Sequence, residues 1–182
     1  AEQEVKQHKF HWIVTVNADL EPIPLSTLLT QVTSAALAAC DAAIGTYWGN
    51  ATLVLPKKTF VDVATGTLPD ELPLLLWVDF RIGPDSEKTS AGFTAGMRAL
   101  GHMDLETEHA TESPRDLYER LVSLADYVLT NGPVIKDGDT VGQDAHEKIR
   151  VVYSDSTFGH EEKVMRLVYG KGYDKKPRWK FW

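Results

Sequence analysis

The stretch from Leu74 to His109 constrains the fold most. "LLLWVDFRI" sets Leu74, Leu76, Val78, Phe80 and Ile82 at every second position, opposite Trp77, Asp79 and Arg81. A period of two residues is the mark of a β-strand with one buried face. "GPDSEK" has turn composition, "TSAGFTAGMRAL" returns as a Gly-rich strand, and "HMDLETEH" alternates again, so the three predict a meander. Gly92 and Gly96 point to close packing or bulges in its second strand.

The rest of the chain supplies helices and further strands. "FHWIVTVNAD" predicts a first strand with Trp12, Val14 and Val16 on one face. Pro24 opens a helix in which Leu25, Leu28, Leu29, Val32, Ala36, Ala39 and Ala43 recur at helical spacing, with Gly45 placed to end it. "TYWGNATLVLP" reads as a strand interrupted by Gly49, and "KKTFVDVA" as a short helix. The clearest helix is "SPRDLYERLVSLADYVLTNG": Ser113 as N-cap, Pro114 at the first position, Asp116 in the capping-box slot, and Leu117, Leu121, Leu124 and Val128 as the buried stripe. "EKIRVVYS" and "EKVMRLVYG" close the chain with two strands. The expected class is α+β, a mainly antiparallel β-sheet with two main helices packed on one face. Residues 1–170 are expected to form a single domain, followed by a basic aromatic tail over 171–182.

Composition narrows the function classes. With 182 residues, 43% hydrophobic and 25% charged, the chain buries a real core and is not mainly disordered. The longest apolar run, Leu74 to Val78, is far short of the roughly twenty residues a membrane-crossing helix needs. No secretory signal pattern opens the sequence. The single cysteine, Cys40, cannot form an internal disulfide and reads as a small buried hydrophobe in a reducing compartment. Five of the 19 bases and one of the 26 acids fall in the tail, which leaves 14 bases against 25 acids before it. So acidic a body repels nucleic acid and anionic membrane, and no nucleic-acid partner is expected.

Two acidic clusters invite a metal reading. In "GHMDLETEH" a strand would set His102, Asp104, Glu106 and Glu108 on one face as hard O and N donors. Next-nearest strand residues lie nearly 7 Å apart, at about 3.3 Å per residue, so one ion could use at most two of them. Met103, Leu105 and Thr107 on the other face account for the alternation. The expectation is therefore a solvated face balanced by a cation, with Arg81 or Arg98 as the nearby choice. The loop "DGDTVGQDAHEK" sets Asp137, Asp139 and Gly142 at calcium-loop positions, but Val141 and Lys148 stand where oxygen ligands are required. An Asp-Gly turn whose Asp139 and Thr140 bond their own backbone is the simpler reading. His8, His11, His146 and His160 show no zinc spacing. Ser154 and Ser156 beside Asp155 and His160 do not make a triad by closeness in sequence. In the tail, Lys175, Lys176 and Arg178 alternate with Trp179, Phe181 and Trp182, a composition that suits partner binding or a last strand packed on the sheet.

The segments "PLLLWVDFRIG", "TAGMRALGHMDLETE", "LADYVLTNGPVIKDGDTVG" and "EKIRVVYSDS" resemble the bacterial family called domain of unknown function 4261. The shared features are Leu76-Trp77-Val78, the Thr94-Ala95-Gly96 turn, the run from Gly101 to Glu108, and the loop from Asp137 to Gly142. The resemblance spans roughly residues 11–168 and leaves the tail outside. The sequence departs from the family pattern in its acids, which fall one or two places later, at Asp104, Glu106 and Glu108. The family implies no activity, and some relatives belong among type VI secretion or toxin–immunity genes. The expectation is thus a non-catalytic bacterial protein-interaction domain, on the effector or the immunity side of such a system, with a protein partner and no cofactor. A cytoplasmic location is expected, or export without a cleavable signal. The alternative is a metal-dependent hydrolase using Asp104, Glu106 and Glu108, with Asp137 and Asp139.

Overall fold

The structure, a computed structural model, describes residues 6–142 and 147–170. Its backbone groups into two compact units. Of the described residues, one takes 6–79 together with Ala95–His102, and the other takes Phe80–Thr94 together with 103–142 and 147–170.

In the first unit, helix α1 (Pro22–Ala39) starts on a proline, whose fixed φ suits a first turn, and ends where Cys40 turns extended. Strands β1 (Gly45–Trp48) and β2 (Leu53–Pro56) pair antiparallel across a 3-10 turn at Gly49–Ala51. Helix α2 (Lys57–Thr67) follows and buries Phe60, whose ring lies 5.9 Å from that of Trp48. The buried positions of α1 are Ser26, Thr30, Thr33, Ser34 and Leu37, while Leu25, Leu28 and Leu29 are only half-buried. The Thr30 hydroxyl is accommodated on the core side because it finds partners there. Thr30 Oγ1 donates to the Ser26 carbonyl at 2.7 Å and accepts the Trp77 indole N–H at 2.7 Å.

One expected strand does not form, and a second forms only in its later half, as β3 (Asp79–Pro84). Residues 10–18, the "FHWIVTVNA" stretch, take no regular structure, and Leu74–Trp77 makes the single helical turn α3. A period of two is necessary for a strand but not sufficient, since a ladder also needs a neighbour. β1 pairs with β2 in a sheet of two, which leaves residues 10–18 without one. For Leu74–Trp77, a run apolar on every side also suits a buried turn: Leu76 and Trp77 are buried, and Val78 N donates to the Leu74 carbonyl at 2.9 Å. Gly96, at φ +119°, lets the Trp77 carbonyl approach so closely that any Cβ there would collide with it.

The second unit is built on β3 (Asp79–Pro84), β4 (Ser90–Ala95), β5 (Leu105–Ala110), β6 (Thr140–Val141), β7 (Ile149–Ser154) and β8 (Val164–Val168). They form one sheet in the order β3-β4-β5-β8-β7-β6. β5 and β8 run parallel, with Glu106 opposite Arg166, whereas β4 with β5, β7 with β8 and β6 with β7 are antiparallel. The chain between β5 and β6 carries helix α4 (Pro114–Asn131), which packs on β5. Its start is as expected: Ser113 Oγ accepts from Asp116 N at 3.2 Å. Its buried face holds Leu117, Leu121, Ala125, Val128 and Leu129, with Leu124 only half-buried. Arg120 on this helix meets Glu112 and Glu147, with Nε 2.6 Å and Nη2 2.7 Å from the two carboxylates, so α4 is tied to the chain just before it and to the link between β6 and β7.

The fold is α+β with mostly antiparallel pairing, as the sequence predicts. Two main helices on one sheet face are not seen: α1 packs on α2 and on the 3-10 turn Met97–Leu100, and α4 packs on β5. Among the described residues no helix is long and apolar enough to cross a membrane.

Candidate functional site

The interior of the second unit holds a carboxylate. Glu106 sits on the central strand β5 with none of its surface exposed. Burying an ionised group is unfavourable unless donors replace water, and here the loop between β7 and β8 supplies them. Ser156 Oγ donates to Oε1, while Thr157 N at 3.1 Å, Thr157 Oγ1 at 3.4 Å and Arg166 Nη2 at 3.4 Å reach Oε2. Arg166 also donates to the Asp155 carbonyl at 2.7 Å. Ser156 Oγ accepts the backbone N–H groups of Phe158 and His160, each at 3.0 Å, so one hydroxyl shapes the whole turn.

An aromatic cluster belongs to the same site. Phe93 of β4 stacks on Phe158 with ring centroids 5.0 Å apart, meets His160 edge-on at 5.7 Å, and has the Arg81 guanidinium over its ring at 5.7 Å. His160 Nε2 stands 4.0 Å from Glu106 Oε1, beyond hydrogen-bond reach. That nitrogen and Arg166 Nε are buried without a hydrogen-bond partner among the described residues.

Ser156, Glu106 and His160 therefore do converge, which closeness in sequence alone does not establish. Their bonding is that of a latch. The serine proton goes to a carboxylate and its oxygen accepts two backbone N–H groups, whereas a nucleophile needs its proton on a base and a free lone pair.

The acidic ladder is not the solvated face its alternation predicts. His102 and Asp104 precede the strand, Asp104 and Glu106 are buried, and Glu108 is half-buried. Ser156 and Thr157 of the β7–β8 loop lie against β5 at Glu106, so its polar face there is covered rather than wet. Asp104 Oδ1 accepts from Thr94 Oγ1 at 3.0 Å, and Thr94 Oγ1 accepts from Leu105 N at 2.8 Å. The cation beside Glu106 is Arg166. Arg81, one of the two expected, lies over Phe93 instead. Past Glu108 the β4–β5 register shifts, and His109 takes φ +56° with its ring on Asp85.

Asp137 and Asp139 sit on the far side of β7. Asp137 Oδ1 accepts from Tyr153 N and Asp139 Oδ2 from Lys136 N, both at 2.8 Å. Burial, with Asp139 and Asp137 adding to it, raises the pKa of the Tyr153 phenol. β8 and β7 separate this turn from β5, so the two acidic clusters stand three strand spacings apart, roughly 14 Å. Among the described residues no three His, Cys, Asp or Glu side chains are placed to share a metal ion. His146 and the tail residues Lys175, Lys176, Arg178, Trp179, Phe181 and Trp182 lie outside the described residues.

The first unit carries a second candidate, an apolar groove of about 820 Å³. One wall is the stretch from Gln7 to Val14. The others are Leu29, Thr33, Ala36 and Leu37 of α1, and the chain from Ala42 through β1 to Asn50. Phe10, Trp12 and Ile13 are 71%, 59% and 81% exposed, and Tyr47 and Val54 are also exposed at its rim. Large apolar side chains this exposed and this close together mark a binding face more than a random surface. Among the described residues, His8, Lys9 and His11 are the basic side chains of the lining, which contains no Asp or Glu. The sequence hides this groove because its walls come from separate segments, although the exposed Trp12 lies in a stretch whose β pattern was legible.

The whole is an α+β protein with a mixed six-stranded sheet closed over a buried carboxylate. Residues 93–168 match the family model described as a domain of unknown function, DUF4261, and the resemblance read from the sequence holds over that segment. No curated protein and no solved structure matches the chain. The match runs from Phe93 to Val168, so it encloses Glu106, Ser156, His160 and Arg166, and the groove lies outside it.

Proposed function

We propose that the chain is a non-catalytic protein-interaction domain. The observation that carries this reading is the groove of the first unit, with Phe10, Trp12, Ile13 and Tyr47 exposed around it. Aromatic residues are enriched at protein interfaces, and this cluster is more apolar than an ordinary surface. The chemistry of the second unit supports the same reading, because both Glu106 oxygens and the Ser156 hydroxyl are committed to one another and to the loop. Hydrolysis at a metal held by Asp104, Glu106 and Glu108 would have to strip those bonds first. An association with type VI secretion, as effector or immunity protein, rests on the family resemblance, and the identity of the neighbouring genes tests it.

The test of the interaction reading is a photoreactive phenylalanine analogue at position 47, on the groove rim. Irradiation in the producing cell is expected to join the chain to one other protein as a discrete adduct. A chain that stays uncoupled from position 47, or a stoichiometric divalent ion lost on Glu106→Ala, would overturn it.

A further inference from the structure

Two backbone stretches border the groove: β1, whose one strand partner among the described residues is β2, and residues 9–14, which belong to no strand. β1 is an outer strand of a two-stranded sheet, and its residues line the groove continuously, whereas β2 contributes Val54 alone. Opposite, residues 9–19 make no backbone hydrogen bond to the rest of the chain among the described residues. That stretch contains the Trp12, Val14, Val16 alternation, the pattern of a strand that has not found its neighbour. A hairpin of two strands is marginal by itself and gains stability from a third.

Charge selects the occupant. The chain as a whole has 26 acids to 19 bases, yet among the described residues the groove presents Lys9, with His8 and His11 beside it, and no carboxylate. A second copy adding its own 9–16 stretch in parallel register would bring Lys9 against Lys9, which repels. An extended segment with acids and apolar side chains at alternating positions meets every requirement. Its backbone bonds these two stretches, every second side chain enters the apolar floor, and its carboxylates reach the basic rim.

We infer that the groove is a strand-addition site for an acidic, apolar, extended segment of another protein. This rests on the interaction reading above and specifies how the partner is held.

The test is selection of a displayed random eight-residue peptide library on the full chain, then fluorescence anisotropy of the synthetic consensus. Enriched peptides are expected to alternate apolar residues with Asp or Glu. Lys9→Glu is expected to weaken consensus binding tenfold or more, and so is N-methylation of alternate peptide amides. Three results would overturn the inference: no enrichment, an enriched set without acids, or N-methylated peptide binding unchanged. Self-association of the chain in sedimentation that is competed by the consensus would overturn it in favour of a second copy. If peptides fail while position 47 still forms its adduct, the strand mode falls and the interaction reading stands. If both fail, the reading falls with it.

Discussion

Glu106 shows how a single side chain can look like chemistry and be architecture. Its charge is offset by Arg166 and by three donors from residues fifty and fifty-one positions later, so its environment closes only when β8 has docked. Removing one partner of a buried ionic cluster typically costs about 3–5 kcal/mol, because the other partner stays buried and uncompensated. Glu106→Ala is therefore expected to lower the unfolding free energy by that order, read as a fall in denaturant midpoint, and Ser156→Ala by about 1–2 kcal/mol, a buried hydrogen bond. An unchanged midpoint for Glu106→Ala would show that the carboxylate is not held as described. His102 gives the pH counterpart. Burial lowers its pKa below the ordinary 6.5, so the folded chain binds this proton less readily than the unfolded one. Its contribution to stability is complete above pH 6.5 and declines as pH falls from there toward the folded pKa. The imidazole titration followed by NMR should show a midpoint below 6.5, and His102→Asn should flatten the acid limb of the stability curve. A midpoint at or above 6.5 would contradict the burial.

Elements divide into those the sequence specifies locally and those that depend on a distant partner. Helix α4 was legible because Ser113, Pro114 and Asp116 fix its start and Gly132 its end, all within one segment. The strands β4, β5, β7 and β8 were legible for the same reason, an alternating stretch between turns. The "FHWIVTVNA" stretch and Leu74–Trp77 misled, since alternation does not say whether a neighbour exists. The parallel β5–β8 pair, on which the Glu106–Arg166 contact depends, could not be read at all from local pattern. The ties of α4 are equally non-local: Arg120 joins Glu112 to Glu147, and Tyr169 donates to Glu112 at 3.2 Å. Burial first, and then the Glu112 charge, hold the Tyr169 phenol neutral well above its usual range. Arg120→Ala would leave two carboxylates facing each other and is expected to cost about 3 kcal/mol in equilibrium unfolding. A change below about 1 kcal/mol would mean that α4 is held by its apolar face alone.

Across the molecule, the segment that matches a family and the surface that suits a partner are different regions. Residues 93–168 carry the latch, and the groove is built from the chain up to Asn50 together with Val54. Protection from hydrogen exchange should follow the same division. Amides of β5 and β8 are expected to be the slowest, and those of residues 9–19, without backbone partners among the described residues, to exchange near the intrinsic rate. Slow exchange over 9–19 would mean that the stretch is already paired. The division also separates folding from binding in one comparison. Adduct yield at position 47 should be measured at a temperature where all chains are folded, for the parent chain, Lys9→Glu and Glu106→Gln. The yield should fall tenfold or more for Lys9→Glu and stay near the parent level for Glu106→Gln. A yield that follows Glu106 and ignores Lys9 would place function at the buried carboxylate and contradict the reading of the groove as the working surface.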